Sequence, residues 1–399
     1  MRWVQVQEIY ADGKHNAWPD ICQWAGRYYV TFNSGGKGHA NGHGVCLLSS
    51  TDGLQWEKLI EVPAGKWAGA RAGDTTRSAL CPKLLPTEDR LFLMYYYYYA
   101  GGNLDDISDE KKGQFKDRWG DLGGSEESFE RWLRHHDTSF RTAIVSTKDG
   151  RTFTDPQPMF EPGWRVWRPH AFDGRHYVVG FRCHGQSSSI DPQLERMIPE
   201  ADTMEMFESA SLFVSDDGLD WQKLSDIGID DNDEPDFDFT DDGRILVVSR
   251  TGASLDPDRP AMAYLSDPPY TEWRRLALSA PLNSPAVKRV GDRWVVCGRA
   301  LIAGSRVPAQ FAPETAFDAF CPTRLWFLDD QSGELTEGAT LPSWGDNAYP
   351  GMVLTSEGDL LVVYYSCSET IDANRLMGPG PLPGKYSPAA IYLARVVME

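Results

Sequence analysis

Short runs of apolar, strand-forming residues recur along the whole chain, and six of them follow a proline and a polar turn. The prolines are Pro19, Pro82, Pro169, Pro235, Pro285 and Pro350. The apolar runs after them are 27–30, 91–95, 177–181, 245–248, 294–296 and 360–364. Runs of this length bounded by Gly- and Asp-containing turns predict β-strands. The interval from one proline to the next ranges from 50 residues (Pro235 to Pro285) to 87 residues (Pro82 to Pro169), and such self-similarity indicates a repeat architecture.

A second recurring element follows each pair of strands. It reads Ser-Thr-Asp-Gly-Leu-Gln-Trp at 50–56 and Ser-Asp-Asp-Gly-Leu-Asp-Trp at 215–221, with looser copies at 147–153 and 266–273. Asp-Gly favours a tight turn, and the preceding Ser or Asp side chain can bond the backbone of that turn. We interpret the element as a structural turn with an aromatic residue packed beneath it.

Each repeat therefore supplies about four short strands, which is the content of one propeller blade. Six repeats predict an all-β, six-bladed β-propeller of four-stranded antiparallel blades in a single domain, 1–399. The segment 3–6 is expected to pair with 391–394 and so to close the ring. Two polar insertions, at about 101–139 and 187–209, fall between the second and third strands of a blade. Long insertions of this kind commonly form walls or lids, so we expect them on the face that carries the site.

The charge and composition narrow the class of partner. The net charge of −19 argues against nucleic acid and against an anionic membrane surface, whereas 12% aromatic residues suit carbohydrate stacking. No stretch is long and apolar enough to span a membrane. The seven cysteines are scattered and without paired motifs, which favours reduced thiols and a cytoplasmic location over secretion with a removed signal peptide. The chain shows no zinc motif and no phosphate-binding glycine loop, so we expect no metal and no cofactor.

Charged residues occur at two equivalent positions of the repeats. The residue before each proline is expected near the mouth of the propeller. Burying the charges of Arg168 and Glu234 there costs free energy unless each has an ion-pair partner or a functional role. The residue ending the second strand of three successive blades is an arginine: Arg182, Arg250 and Arg299. Converging guanidinium groups indicate a site for a carboxylate, sulfate or phosphate, with unrelated ion pairs between blades as the alternative.

Candidate catalytic groups lie at or near these equivalent positions. Tyr349 also precedes a proline, and a carboxylate such as Glu234 could take its proton during nucleophilic attack, although the pair could equally be core structure. His39 and His43 lie on a glycine-rich loop that could bring a proton donor to the mouth, or could bind a metal. Further polar candidates near the strand entries are Asp20, Asp74, Arg77 and Asp236.

At these residues the chain resembles the sialidase superfamily of six-bladed propellers over nearly its whole length. The turn elements look like shortened Asp-box (BNR) repeats, and 233–250, 297–299 and 347–350 are similar to the segments that hold that family's glutamate, arginines and nucleophilic tyrosine. The resemblance implies that Tyr349 attacks the anomeric carbon, that Glu234 tunes it, and that Arg250 and Arg299 hold a substrate carboxylate. Two departures stand out.

The first departure is the segment 17–19, Ala-Trp-Pro, which stands where the family has its first arginine, so that Arg182 or Arg168 would have to replace it. The second is that His39 and His43 stand in the region of the family's acid/base aspartate. Both departures concern the first blade. They leave the fold prediction intact and bear on the substrate and on the proton donor.

These observations predict a glycoside hydrolase that releases a terminal acidic sugar, sialic acid or a related one, by a retaining mechanism with Tyr349 as nucleophile. One alternative is a neutral-sugar, arabinanase-like hydrolase using Glu234 with Asp20 or Asp236. Another is a polysaccharide lyase using Tyr349 and His39. The last is a propeller that binds glycans without cleaving them.

Overall fold

The computed structural model describes residues 1–36, 44–63, 81–100, 109–121, 123–135, 138–161, 163–182, 210–229, 234–250, 260–300, 321–368 and 387–398. Over these residues the chain forms six antiparallel sheets of four strands each. The all-β, six-bladed propeller expected from the proline-led repeats is confirmed.

The first three blades follow the chain from their inner to their outer strands. Blade 1 consists of β2 (His15–Trp24), β3 (Arg27–Gly36), β4 (Gly44–Ser50) and β5 (Glu57–Pro63). Blade 2 consists of β6 (Lys83–Pro86), β7 (Leu91–Ala100), β8 (Thr138–Thr147) and β9 (Gln157–Pro158). Blade 3 consists of β10 (Trp164–Phe172), β11 (Arg175–Arg182), β12 (Ser211–Ser215) and β13 (Gln222–Asp226).

The remaining blades include the one that closes the ring. Blade 4 consists of β14 (Asp236–Phe239), β15 (Ile245–Ser249), β16 (Met262–Ser266) and β17 (Arg274–Ala277). Blade 5 consists of β18 (Leu282–Val290), β19 (Arg293–Ala300), β20 (Thr323–Leu328) and β21 (Leu335–Thr340). Blade 6 consists of β22 (Trp344–Leu354), β23 (Leu360–Ser368), β24 (Ala390–Val397) and β1 (Arg2–Tyr10).

Blade 6 takes its outer strand from the beginning of the chain. Strand β1 pairs antiparallel with β24, so that Val6 lies opposite Ala394 and Gln7 opposite Leu393. The predicted pairing of 3–6 with 391–394 is confirmed, and it ties the first described strand to the last. Two ends of the chain thus complete one sheet, which leaves no gap between the first and the last blade.

A bulge interrupts the innermost strand at the proline in four blades. Proline has no N–H to donate, so the ladder cannot continue through it, and two residues fall out of register against one on the neighbouring strand. The register slips between Ala17 and Asp20 in β2 and equivalently in β18 and β22, whereas in β10 it slips directly before the proline. In blades 2 and 4 the innermost strand begins directly after the proline.

The residue before the proline adopts a positive φ in five blades. These residues are Trp18 (57°), Cys81 (23°), Glu234 (64°), Ser284 (53°) and Tyr349 (45°). Side chains in this region cost about 1–2 kcal/mol of backbone energy each, and such residues concentrate at functional sites. In these five blades the backbone thus turns the side chain before the proline out of the ordinary alternation of a strand.

In blade 3 the bulge lies one residue earlier, relative to the proline, than in blades 1, 5 and 6. Val166 pairs with Gly180 and Pro169 with Val178, so the two unpaired residues are Trp167 and Arg168. Trp167, and not Arg168, thus occupies the position of Trp18 and Tyr349. The prediction that Arg168 shares a ring with Glu234 and Tyr349 is wrong by one position, because here the bulge ends before the proline instead of containing it.

The apolar core lies between neighbouring sheets. Val179 and Leu212 of blade 3 belong to one buried cluster with Phe237 and Val247 of blade 4, and equivalent clusters lie between other blades. Both faces of the second strands are covered, which is why these strands appear in the sequence as continuous apolar runs.

The Ser-x-Asp-Gly turns are held by their own side chains. In the turn between β4 and β5, the Ser50 hydroxyl accepts a hydrogen bond from the Gly53 N–H at 2.9 Å. Asp52 Oδ1 accepts from the N–H groups of Leu54 at 2.8 Å and Gln55 at 2.9 Å. The turns at 147–153 and 215–221 repeat this pattern, as expected for a structural element.

The first insertion is helical where it is described, with α1 (Asp109–Asp121) and α2 (Glu126–His135). Trp119 Nε1 donates to Ser128 Oγ at 2.9 Å and its ring lies 6.1 Å from that of Phe129, which joins the two helices. The second insertion, 187–209, lies outside the described residues. No helix among the described residues is long and apolar enough to cross a membrane.

Candidate functional site

Six residues, one from the entry of each innermost strand, lie together at the axis of the propeller. The indole rings of Trp18 and Trp167 lie 6.1 and 5.9 Å from the ring of Tyr349. The two remaining polar members of this set, Glu234 and Ser284, bond in the same place. We call these residues the inner ring: Trp18, Cys81, Trp167, Glu234, Ser284 and Tyr349.

A short hydrogen bond joins the two predicted catalytic residues. The Tyr349 hydroxyl donates to Glu234 Oε1 at 2.6 Å, and both side chains are buried, with Glu234 only 3% exposed. The other carboxylate oxygen, Oε2, lies 2.7 Å from Arg250 Nη1 and 3.5 Å from Ser284 Oγ. The structure thus brings Tyr349, Glu234 and Arg250 together, as the sequence predicted.

The surroundings keep Glu234 ionised. Burial by itself opposes the charge, but the guanidinium groups of Arg250 and Arg165 and the Tyr349 hydroxyl hold the pKa of the Glu234 carboxyl below its usual value. An ionised carboxylate next to a phenol can accept its proton, so the pair has the composition of an activated tyrosine nucleophile.

Arg165 is a member of the site that sequence reasoning missed. Its guanidinium lies 4.3 Å from the ring centroid of Tyr96 and donates to a Tyr96 hydroxyl at 2.6 Å. The same Nη2 atom lies 3.9 Å from Glu234 Oε1. The signal was a second arginine on the same innermost strand as Arg168, but the pattern of residues before proline selects only Arg168.

Arg168 follows the inner-ring residue of blade 3, and each of its three guanidinium nitrogens has a hydrogen-bond acceptor. Its Nε atom bonds Asp20 Oδ1 at 2.7 Å, its Nη1 bonds Asp236 Oδ2 at 2.7 Å, and its Nη2 donates to the Pro350 carbonyl at 2.8 Å. His170 Nε2 lies 2.9 Å from the other oxygen of Asp236. We call Arg168, Asp20, Asp236 and His170 the Arg168 network.

The network makes the Asp236 carboxyl strongly acidic. Burial opposes the charge of Asp236, yet Arg168 and His170 bring its pKa down to about 2. Burial likewise works against the cation of Arg168, but the carboxylates of Asp236 and Asp20 raise its pKa above the usual value. Arg168 and Asp236 therefore form a buried ion pair that stays charged throughout the physiological range of pH.

Arg299 belongs to a separate buried cluster. Its Nη2 atom lies 2.9 Å from Asp346 Oδ1 and its Nε atom donates to the Asn347 carbonyl at 3.1 Å. The Tyr365 hydroxyl donates to the same Asp346 oxygen at 2.7 Å, and His15 Nε2 lies 3.3 Å from the other. Burial and the Asp346 charge raise the pKa of the Tyr365 phenol, which keeps it a proton donor in this bond.

Arg182, Arg250 and Arg299 do not occupy equivalent register positions in their blades. Arg299 pairs with Asn283 and takes the place of Asn33 in blade 1, whereas the equivalent residue of blade 3 is Gly180. Arg182 lies two residues further along, because β11 continues past this level. The predicted ring of three arginines is therefore wrong for Arg182.

Four predicted residues lie outside the described residues: His39, His43, Asp74 and Arg77. Within the described part, no group of three or more His, Cys, Asp or Glu residues is arranged to hold a metal ion. The described chemistry is that of a phenol, a carboxylate and two guanidinium groups, enclosed by Trp18, Trp167 and Tyr96.

Comparisons with known proteins show which solved structures share this fold. No family model matches the sequence, and no curated protein matches it. Among solved structures, a protein of unknown function from Dyadobacter fermentans is similar with a TM-score of 0.63 and 16% identity, over 100% of this chain and 99% of the other. A Trypanosoma rangeli sialidase bound to the inhibitor DANA follows with a TM-score of 0.57 and 10% identity, over 96% of this chain and 55% of the sialidase.

A third similar structure is the α-L-arabinanase of Penicillium chrysogenum complexed with arabinobiose. Its TM-score is 0.53 and its identity 13%, over 98% of each chain. This chain spans little more than half of the sialidase but nearly all of the arabinanase. At these identities the likeness concerns the fold, and the chain is a six-bladed β-propeller of the kind found in sialidases and arabinanases.

Proposed function

We propose that the protein is a glycoside hydrolase that removes a terminal acidic sugar by a retaining mechanism with Tyr349 as the nucleophile. The observation that carries the proposal is the 2.6 Å hydrogen bond from Tyr349 to Glu234, whose second oxygen is held 2.7 Å from Arg250. Both partners stand at positive φ on bulged or newly started strands, where the fold turns side chains towards the axis.

The proposed reaction begins with proton transfer. Glu234 takes the phenolic proton while the Tyr349 oxygen bonds to the anomeric carbon, and the bond from that carbon to the leaving oxygen breaks. The leaving oxygen takes a proton from a donor, for which His39 and His43 remain the predicted candidates. Water then attacks the anomeric carbon and gives its proton back to that donor, while Tyr349 departs with a proton returned from Glu234. A tyrosine nucleophile is a known exception to the two-carboxylate rule of glycoside hydrolases.

The charges beside the reacting pair favour an anionic substrate. Arg250 and Arg165 both approach Glu234, and a guanidinium can bind a carboxylate through two hydrogen bonds. Arg299 and Arg168 hold buried aspartates, whereas Arg250 and Arg165 lie at the carboxylate that bonds Tyr349, so we assign the substrate anion to Arg250 and Arg165. A neutral phenol also attacks a carbon next to a carboxylate more readily than a second carboxylate would.

A structural neighbour binds acidic sugars and forms a covalent intermediate with one of them. The Trypanosoma rangeli sialidase forms complexes with sialic acid and, with 2,3-difluorosialic acid, a covalent intermediate. By analogy of fold, a sialic acid or a related acidic sugar is the substrate class to test first.

The arabinanase-like alternative is favoured by the coverage of that neighbour, which matches this chain from end to end. It requires a second carboxylate, Asp20 or Asp236, to act with Glu234. Both aspartates are 1% exposed and both bond Arg168, which is an arrangement for structure and not for proton transfer. The geometry therefore favours the tyrosine mechanism.

A screen on aryl glycosides tests the proposal. Purified protein is assayed with glycosides of sialic acids, uronic acids and arabinose, and the anomer of the first product is determined by NMR. Release of an acidic sugar with retained configuration is expected. Tyr349→Phe and Glu234→Gln should lose at least a thousandfold in kcat, because they remove the nucleophile and the base that activates it. Tyr364→Phe is the matched control, since its hydroxyl bonds the Pro342 carbonyl instead.

Other outcomes would identify the alternatives. An unsaturated product absorbing in the near ultraviolet indicates a lyase, and preferential cleavage of arabinosides indicates the neutral-sugar hydrolase. A sugar that binds and stays intact for days indicates a binding propeller. Full activity of Tyr349→Phe on an acidic glycoside would rule out the nucleophile assignment.

A further inference from the structure

The geometry points to Arg168 as a positioning residue that joins the innermost strands of all six blades and thereby sets Tyr349 against Glu234. This role differs from the substrate binding expected of Arg168 from the sequence. As far as catalysis is concerned, the inference rests on the proposed function, but its structural part can be tested without any substrate.

The guanidinium reaches three blades directly. From its place in β10 of blade 3, it bonds Asp20 of blade 1, Asp236 of blade 4 and the Pro350 carbonyl of blade 6. Each of its three nitrogens serves a different blade. A planar fork with nitrogens fixed in three directions can do this, whereas the single ammonium of a lysine cannot keep all three directions at once.

The two aspartates extend the contact to the remaining blades. Asp20 Oδ2 accepts a hydrogen bond from the Leu84 N–H of blade 2 at 2.8 Å. Asp236 Oδ2 accepts one from the Val287 N–H of blade 5 at 2.8 Å. One arginine and two carboxylates therefore connect all six innermost strands around the axis.

The backbone at this level is shaped for the network. A Cβ atom on Gly351 would lie 3.0 Å from Asp20 Oδ1 and 3.0 Å from the Ile21 nitrogen. β22 thus passes Asp20 closely, and a side chain at position 351 would force the Asp20 carboxylate, which Arg168 holds, to shift by a few tenths of an ångström. Every hydrogen-bonding nitrogen of Arg168 has an acceptor at 2.8 Å or less.

The network is linked to the reacting pair by short stretches of backbone. Pro350 directly follows Tyr349, and Asp236 is two residues beyond Glu234. Tyr349 and Glu234 are held at φ 45° and 64°, a region that non-glycine residues keep only where neighbouring contacts enforce it. By holding Pro350 and Asp236, Arg168 supplies this constraint on both sides of the 2.6 Å hydrogen bond.

Arg168→Lys tests the positioning role, because it keeps the positive charge but removes the planar guanidinium with its three fixed nitrogens. With 3-fluorotyrosine placed at position 349, the ¹⁹F resonance reports the environment of this phenol, and Glu234→Gln gives the reference for a changed hydrogen bond. We expect the resonance of Arg168→Lys to move towards that reference. On an acidic aryl glycoside we expect kcat to fall at least tenfold with KM within twofold, since the substrate contacts remain.

Two further variants separate position from stability. Leu325→Ala opens a cavity in the core of blade 5 and should lower the unfolding temperature without changing the ¹⁹F resonance or kcat. Gly351→Ala keeps every charge and crowds the Asp20 oxygen that Arg168 binds, so it should move the resonance in the same direction as Arg168→Lys. It decides the question if Arg168→Lys fails to fold.

An unchanged ¹⁹F resonance in the folded variants would overturn the inference, as would a raised KM with an unchanged kcat in Arg168→Lys. If the wild-type protein cleaves no glycoside, the proposed function fails, while the resonance still decides whether Arg168 positions Tyr349.

Discussion

Replacing Asp236 by Asn would remove the negative charge that Arg168 and His170 share beneath the inner ring. Asparagine keeps the shape of the side chain but leaves the buried guanidinium with one carboxylate instead of two. Removing one partner of a buried ion pair typically costs about 3–5 kcal/mol, since the remaining charge is left desolvated. The Asn amide oxygen still accepts one hydrogen bond, so we expect a loss of about 3 kcal/mol in the free energy of unfolding at pH 7.

The pH dependence of this loss is a sharper expectation. The pKa of Asp236 is about 2 in the folded protein against an ordinary value of 3.8. The interval between these values corresponds to about 2 kcal/mol of stabilisation. Because folding depresses this pKa, the contribution is fully present above pH 4 to 5 and is lost as the pH falls towards 2. The stability gap between wild type and Asp236→Asn should therefore narrow by about 2 kcal/mol over that window.

Urea unfolding followed by tryptophan fluorescence, at several pH values from 2 to 7, measures the gap. Asp241→Asn is the control, because this carboxylate is exposed on a turn of the same blade. Its stability curve should run parallel to that of the wild type at every pH. A gap for Asp236→Asn that stays constant between pH 5 and pH 2 would refute the reasoning, since it would mean that Arg168 and His170 do not stabilise the charged form.

Three other variants extend the predictions. Arg165→Gln should raise KM for acidic aryl glycosides at least tenfold and leave KM for neutral ones unchanged, which steady-state kinetics on matched substrates would measure. Arg299→Gln should lower the free energy of unfolding by about 3 kcal/mol, as seen in urea titrations, because it takes the guanidinium away from the buried Asp346 carboxylate. Gly218→Ala should cost more stability than Gly174→Ala by calorimetry: both glycines have positive φ, but only at Gly218 would the new Cβ lie 2.7 Å from the ring of Phe92. Equal losses in this last pair would contradict the packing argument.

The blade count was predictable because proline acts at the same point of every innermost strand. The proline lies within a bulge in blades 1, 5 and 6, directly after one in blade 3, and directly before the strand in blades 2 and 4, so this residue type marks the entry of every innermost strand. The pair Tyr349 and Glu234 was predictable for the same reason, since both precede such a proline. Sequence position alone was enough wherever the bulge contained the proline.

The register of blade 3 was not predictable in this way. A proline can occupy a bulge or follow it, and both arrangements leave the same sequence signature around Arg168. Ion pairs were also hidden, because Asp346 lies 47 residues from Arg299 and nothing local marks the two as partners. Arg165 was missed because its aromatic neighbour Tyr96 lies on another blade, 69 residues away.

The pairing of β1 with β24 has a consequence for the order of folding. During synthesis β1 emerges first among the described strands, and its partner follows only after almost the entire chain has been made. Closing so long a loop in an unfolded chain costs about 3 kcal/mol more than closing a hairpin of a dozen residues, since each doubling of loop length adds about 0.6 kcal/mol. Blades 1 to 5 can each form from contiguous sequence, whereas blade 6 must wait for both ends. The seam between β1 and β24 should thus be the last part of the ring to form and the first to exchange its amide hydrogens.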